Sequence, residues 1–545
     1  MCLCPLFAVW LNAQPSPYQY FGQQPGERYG AAVTFLGDVD GDGAHEIAIG
    51  APWYSENTTG GKIQVRGRAG GIVYESFGVS FAEQFGSSLD AVPDIDSDGA
   101  PELLVGAWGS SFNGFSAGRV YLLSGATGAE IWSRPGANAG DRFGFDVAYV
   151  GDTQGTGLPT VIVGAPGHNG GAGAAYILSA ADGSVIHVLT ASGPNEEFGY
   201  AVARGRSFNA GPEEDVLIGA PFADTNGTNS GHLYFVNGLT AASMSQVQGQ
   251  PGSLLGFSVD GFDDVTGEGL NDYLVGAPSH TTLGLTSGRV VLRQSLNGGA
   301  APITVLSGTQ PGEVFGAQVA SAGDRDGDGA TDIICGGPGW DGPLGVNQGR
   351  IVVCNQSSQQ LFFASGASAG EEFGSAIAGN GDYNGDGISD LIVGAPRYDS
   401  GSLLDVGRVV VYPAEGIVPY GTGLGGLNTI GLAASGSTNG GGVLHVDITG
   451  GPGGGVGQLG LALDAAQIAV PTPTGPLIML IDPASLALPI PFGYDATGAF
   501  SISFYVTPEV VNLVGGSTVC SQVNGFNPAS ARLYASNAVA VTFGY

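Results

Sequence analysis

The stretch GDVDGDGAHEIAIGAP, residues Gly37–Pro52, places Asp38, Asp40, Asp42 and Glu46 within nine residues and then turns apolar. Like charges in one loop either repel and keep it extended and solvated, or surround a cation that makes it compact. The second reading gains weight because the pattern recurs along the chain.

An aromatic residue or leucine followed by glycine opens each of seven units, at Tyr29-Gly30, Phe85-Gly86, Phe143-Gly144, Phe198-Gly199, Leu255-Gly256, Phe315-Gly316 and Phe373-Gly374. Successive pairs lie 55 to 60 residues apart, and each is followed by an apolar run closing on Gly-Ala-Pro or a near relative, such as IAIGAP at Pro52 and LIVGAP at Pro396. Short β-rich segments such as GKIQV and GRVYLL come next, with no helical period anywhere. Four strands per unit is the composition of a propeller blade, and seven units fall within the usual four to eight blades. An outer-strand segment precedes each opening pair. PYQYFGQQPGERYG is the first unit's version, so the N-terminal strand is expected to pair into the last blade and close the ring.

The Phe-Gly and Gly-Ala-Pro pairs flanking an Asp-x-Asp-x-Asp-Gly loop resemble FG-GAP repeats, as in the β-propeller of integrin α subunits, over about residues 17–413. The resemblance implies cations on the lower face of the ring and partner and ligand contacts on the upper one. The 58-residue step between repeats two and three leaves no room for the inserted ligand-binding domain that some integrin α chains carry. The family's leg domains and membrane span do not follow, so heterodimerisation and signalling are not carried over.

Ligands at positions 1, 3 and 5, a glycine at 6, a backbone carbonyl at 7 and an acid at 9 would ring one hard cation with oxygens, a donor set that favours Ca²⁺. Four loops carry the full set: Asp38, Asp40, Asp42, Ala44, Glu46; Asp94, Asp96, Asp98, Ala100, Glu102; Asp324, Asp326, Asp328, Ala330, Asp332; and Asp382, Asn384, Asp386, Ile388, Asp390. Repeat five carries a partial set, Asp264, Thr266, Glu268 and Asp272, a candidate fifth site. DTQGTGLPT and SFNAGPEED in repeats three and four lack most ligands, so their turns must hold without metal. An EF-hand would need helices on either side and a glutamate at position 12, where the first loop has Ile49. The expected role of the metals is structural.

The net charge of −32 argues against nucleic acid or an anionic membrane as partner. The apolar start MCLCPLFAVWLNAQ, ending near Ala13, reads as a signal peptide over 1–13, although it has no basic leading segment. Export would leave the protein secreted or at the cell surface, since no later apolar run is long enough for a transmembrane helix. Cys335, Cys354 and Cys520 show no CxxC spacing, and free buried thiols are expected. The domain plan is a propeller over 14–413, a linker over 414–424, and a small C-terminal β-sandwich over 425–545, where β-prone runs alternate with turns. The fold class is therefore all-β.

The six histidines are scattered, and no nucleophile elbow or phosphate-binding lysine loop occurs. No catalytic residue is assigned. Aromatic and arginine residues instead gather after Gly-Ala-Pro: Trp53, Tyr54, Trp108, Phe222, Trp340, Arg397 and Tyr398. Equivalent positions share one face of a ring, opposite the acidic loops, and such residues anchor interfaces; they also serve to fill space between blades. The leading reading is a Ca²⁺-stabilised module that binds a protein or glycan ligand through that face. A hydrolase using the same face and a passive structural envelope protein are the alternatives; the ligand's identity and the oligomeric state stay open.

Overall fold

The computed structural model describes residues 17–414, apart from 57–58, 69, 192, 209–210, 212 and 295–301, and beyond them the backbone of eight strands between Val443 and Thr542. Residues 17–414 build seven four-stranded antiparallel sheets. Blade one comprises Ala32–Gly37, Glu46–Ala51, Lys62–Arg66 and Ile72–Phe77, paired in chain order. The first strand of each blade neighbours the first strand of the next, and Ala32–Gly37 neighbours Ala376–Gly381, so seven inner strands enclose a central axis.

The second strand of every blade is buried along its whole length, from Glu46–Ala51 to Asp390–Ala395. Sheets cover both of its faces, which is why these strands read as continuous apolar runs rather than as alternation. The fourth strand is only half-buried and alternates, as Ile72–Phe77 does. Buried clusters join neighbouring blades: Ile63 and Val65 of blade one pack with Leu103 and Val105 of blade two.

The paired glycine motifs form the interlock between blades. A Cβ on Gly50 would lie 2.0 Å from the carbonyl oxygen of Gly86, and one on Gly394 would lie 2.0 Å from that of Gly30. The Gly-Ala-Pro glycine of one blade thus abuts the Phe-Gly glycine of the next, across the closure of the ring as elsewhere. Because backbone rather than a flexible side chain stands in the way, Gly50→Ala must push two blades apart. A destabilisation of about 3 kcal/mol is expected, read as a lower denaturant midpoint at unchanged slope; a wild-type midpoint would contradict the interlock.

Closure follows the expected route. Tyr18–Phe21 is the outermost strand of blade seven, antiparallel to Arg408–Tyr412 in the register Tyr18 to Val411 and Phe21 to Arg408. Tyr20 enters the cluster shared by blades seven and one, with Ile47, Ile392 and Val409. Cys335 and Cys354 are free and buried in blade six, and burial pushes both thiols up.

Past residue 414 the described strands pair as two antiparallel two-stranded sheets and one four-stranded sheet that contains Val456–Leu461 and Leu488–Gly493. The segment is β-rich as its alternation predicts, and its assembly into a sandwich over 425–545 is carried forward as a proposal. The signal peptide expected at 1–13 and the linker residues after Ala414 lie outside the described residues. Among the described residues no helix is long and apolar enough to cross a membrane.

Candidate functional site

The register Val33 to Ile49 and Gly37 to Glu46 sends residues 38–45 to one end of blade one and both Gly30 and Trp53 to the other. The same hairpin recurs in each blade, so the acidic loops and the loops after Gly-Ala-Pro occupy opposite faces of the ring.

At the acidic face each full loop is wound around its first aspartate. Asp38 Oδ1 accepts from the Gly41 and Asp42 amides at 2.7 and 3.1 Å, and its Oδ2 accepts from Gly43 at 3.0 Å. Asp94 does the same with Ser97 and Gly99, Asp324 with Gly327 and Gly329, and Asp382 with Gly385 and Gly387. Winding gathers the remaining carboxylates. Oxygens of Asp38, Asp40 and Asp42 lie within 4.8 Å of one another, as do those of Asp94, Asp96 and Glu102, and of Asp324, Asp326 and Asp332. The position-7 amides of Ala44, Ala100, Ala330 and Ile388 donate to the position-5 carboxylates of Asp42, Asp98, Asp328 and Asp386.

The position-9 acids carry the strongest indication of a cation. Glu46, Glu102 and Asp332 are fully buried, and each uses one oxygen to accept backbone amides, from Val39, from Ile95 and Asp96, and from Arg325. Glu46 Oε1, Glu102 Oε2 and Asp332 Oδ1 are buried and have no hydrogen-bond partner. A buried carboxylate oxygen without a partner is costly unless a cation meets it. Burial, and after it the neighbouring aspartates, push Glu46, Glu102 and Asp332 up to about 7. An all-oxygen, flexible, anionic donor set of this kind fits Ca²⁺, which when bound would neutralise these carboxylates and pin the turn.

The loops are not equivalent. In blade seven Asp390 spends both oxygens on amides, those of Tyr383 and Asn384 on one side and Ala414 at 2.7 Å on the other. Blade five winds in the same way around Asp264, but Thr266 donates to Asp264 and Glu268 accepts from Gln294, while Asp272 accepts from Val265. Blade four keeps a position-9 acid, Asp215, whose Oδ1 accepts from the Asn237 amide and Gly238 N–H. Blade three has Thr160 there, its hydroxyl donating to Gly151 O at 2.7 Å. These last two blades hold their turns with protein donors.

At the opposite face the seven residues singled out from the sequence separate. Tyr54 is corrected: it is buried, its ring against Phe77 and 4.6 Å from the Lys62 ammonium, so it packs blade one and offers no surface. Trp53 is exposed with the Arg28 guanidinium 4.9 Å over its ring. Trp340 is held between Arg350 and Phe363, Tyr398 between Phe21 and Arg408, and Arg397 pairs with Glu372 at 3.2 Å. Trp108 and Phe222 belong to a larger feature.

Trp108 packs against Phe145 at 6.2 Å between centroids, Phe145 against Tyr200 at 4.9 Å, and Tyr200 against both Phe257 at 4.9 Å and Phe222 at 6.0 Å. All five rings are partly exposed. Phe145, Tyr200 and Phe257 each follow the glycine of a Phe-Gly or Leu-Gly pair, a position that holds Ala or Ser in the other four blades. That contrast was available in the sequence and identifies an arc of rings over blades two to five.

Beside the arc lies a cleft of about 660 Å³, lined by polar residues, glycine and Ala139. Only six residues, Gly167–Ala172, separate Pro166 from Gly173, against eight to ten at the equivalent place in the other blades. The short loop leaves the recess. Within it Arg142 pairs with Glu197 at 2.9 Å and His168 Nδ1 lies 3.3 Å from Asp141, while the Arg142 guanidinium sits 5.6 Å over Phe145, joining cleft to arc.

Comparison with known proteins gives a consistent picture. The FG-GAP repeat family model matches residues 29–65, 85–123 and 373–412. Integrin alpha-5 of Xenopus laevis is 33% identical over 236 residues, covering 40% of this chain and 22% of that protein. Integrin alpha-PS2 of Drosophila melanogaster is 31% identical over 211 residues, 34% of this chain and 15% of that protein. Human integrin alpha-IIb is 33% identical over 238 residues, 41% and 21% respectively. The chain therefore spans about a fifth of the length of these relatives.

Proposed function

From a ring of FG-GAP repeats related at about 30% identity to integrin α subunits, we propose a non-catalytic adhesion or interaction module, stabilised by Ca²⁺ at its acidic face, that binds a protein or glycan ligand through the opposite face. The setting proposed is extracellular, secreted or at the cell surface. The observation that carries the reading is the contiguous arc Trp108, Phe145, Tyr200, Phe222 and Phe257, partly exposed at the face away from the acidic loops. Rings already ordered by one another lose little freedom on binding, which favours them as anchors. The adjoining polar cleft supplies hydrogen-bonding groups at the edge of this apolar patch, the usual composition of a recognition surface.

The calcium ligands proposed are the position 1, 3, 5 and 9 side chains and position 7 carbonyls of blades one, two, six and seven, with blade five as a partial fifth site. Their role is to hold each hairpin turn, which leaves the other face free for recognition.

Capture from cell-surface extract in Ca²⁺ tests the reading. Tyr200→Ala lies at the centre of the arc and is expected to weaken the captured partner by about 30-fold, the scale of a 2 kcal/mol hot spot. Trp340→Ala, whose ring is committed to Arg350 and Phe363, serves as the comparison and is expected to bind as wild type. Equal capture by both folded variants would remove the arc from recognition.

A further inference from the structure

Comparing the blades with one another exposes an arginine that has lost its acid. Two residues before the Phe-Gly pair stands Glu27, Glu83, Asp141, Glu196, Glu313 or Glu371, all buried, and in blade five Ser253. At the start of the third strand stands a base in most blades: Lys62, Arg119, His232, Arg289, Arg350 or Arg408. In blades one, six and seven the two positions meet. Lys62 Nζ is 3.3 Å from Glu27, Arg350 Nε is 2.7 Å from Glu313, and Arg408 pairs with Glu371. In blades two and four a tyrosine hydroxyl, that of Tyr121 or Tyr234, bonds the acid, and Arg119 donates to Ser133 with its Nε left without a hydrogen-bond partner. Where one partner changes, another group compensates: blade three has Ala174 at the base position, and His168 comes to Asp141 instead.

Blade five keeps the base and drops the acid. Ser253 is buried and its hydroxyl donates to Ser230 O at 2.8 Å. The turn leading to it is also one residue shorter, Gly249 to Ser253 against Gly308 to Glu313, so no other side chain takes the glutamate's place. Among the described residues no carboxylate lies within ion-pair distance of Arg289. Its Nη2 donates to Thr282 Oγ1 at 3.2 Å, and its Nε is buried without a hydrogen-bond partner. His280 is buried beside it with Nδ1 3.3 Å from the same threonine hydroxyl. Burial with no acid to offset it holds the Arg289 pKa below the usual arginine range, and burial also lowers His280, which stays neutral at pH 7.

We propose that Arg289, with Thr282 beside it and Ser253 where the other blades have an acid, binds a carboxylate supplied from outside this chain. A carboxylate is the group that the repeat places against this base in blades one, six and seven. One guanidinium beside a neutral histidine balances one negative charge, so a phosphate dianion would be left under-compensated. The carboxylate comes either from a small free acid or from a glutamate of a partner polypeptide.

The full chain in Ca²⁺ is titrated at constant ionic strength with acetate, with phosphate and with the peptide acetyl-Gly-Glu-Gly-amide, following the melting temperature against chloride. Acetate is expected to raise it saturably by a few degrees in the wild type and not in Arg289→Gln. Ser253→Glu, which restores the repeat, is expected to lose the acetate response and to melt higher than wild type without added anion. A peptide affinity at least tenfold above acetate assigns the carboxylate to a polypeptide, and equal affinities assign it to a small acid; either supports the site. A shift of equal size in wild type and Arg289→Gln, no saturable shift in the wild type, or a larger saturable shift with phosphate overturns the proposal.

Discussion

Stripping Ca²⁺ from this protein at pH 7.5 is expected to lower its melting temperature by on the order of 10 °C. Each ion that binds only the folded loop contributes RT ln(1 + [L]/Kd), about 2.7 kcal/mol at one hundred times Kd. Four such loops sum to about 11 kcal/mol, and with an unfolding entropy of about 2.1 cal/mol/K per residue over roughly 400 residues that is about 13 °C. The effect also has a pH signature. Glu46 and Glu102, ordinarily near 4.5, and Asp332 and Asp390, ordinarily near 3.8, are all raised to about 7 when no cation is present. Folded-state pKa values above the unfolded ones mean that the stability these acids contribute to the metal-free protein is fully present below about 4 and is lost as pH rises through 7. Calcium requires the same acids ionised. The gap between melting temperatures with and without Ca²⁺ should therefore open between pH 5 and 7.5. A gap that stays constant over that range would contradict the assignment of the orphaned oxygens to a cation, and no gap at any pH would remove the metals altogether.

Breaking the closure of the ring is expected to have an effect of similar size. Tyr20 lies in the cluster between blades seven and one, bonds the Tyr383 hydroxyl, and has the Arg66 guanidinium 4.6 Å over its ring. Tyr383 in turn donates to Gly67 O at 2.7 Å. Tyr20→Ala should cost about 3–5 kcal/mol, the range for buried aromatic truncation. Tyr20→Phe keeps the ring and should cost only about 1 kcal/mol. Beginning the chain at Gly22 goes further: it removes the whole outer strand and leaves Arg408–Tyr412 as an unpaired edge, which recruits other chains. Size-exclusion chromatography should then show oligomers that the full chain does not form. A monomeric truncation with wild-type stability would mean that the ring closes without Tyr18–Phe21.

The ring was legible in the sequence because its repeating glycines answer a steric demand at fixed places: a Cβ on Gly50 or Gly394 would stand 2.0 Å from a neighbouring carbonyl oxygen, and no other residue fits. The acidic loops were legible for a similar reason, since wrapping amides around Asp38 or Asp324 fixes the spacing of the carboxylates that follow. Tyr54 was misread because loop position alone does not say whether a ring turns outward; Lys62, eight residues on, draws it inward. The aromatic arc escaped notice because its members lie some 55 residues apart and sit beside glycines whose structural role already accounted for the motif. Nor could spacing show that Ala414 occupies the second oxygen of Asp390, as that donor arrives from the end of another strand.

The pairing of Tyr18 with Val411 and of Phe21 with Arg408 also sets how the ring responds to force. The chain enters the outer strand at Tyr18 and leaves its neighbour near Tyr412, so both ends depart from the same edge of blade seven. Tension applied between those ends loads the four pairs one after another, starting at Tyr18, and the blade opens like a zip. Tension applied between the face opposite the acidic loops and the chain leaving at Ala414 leaves Tyr18–Phe21 unloaded and passes through the buried strands Asp390–Ala395 and Arg408–Tyr412. The closure that completes the fold is thus strong toward a load applied at that face and weak toward a pull on its own two ends.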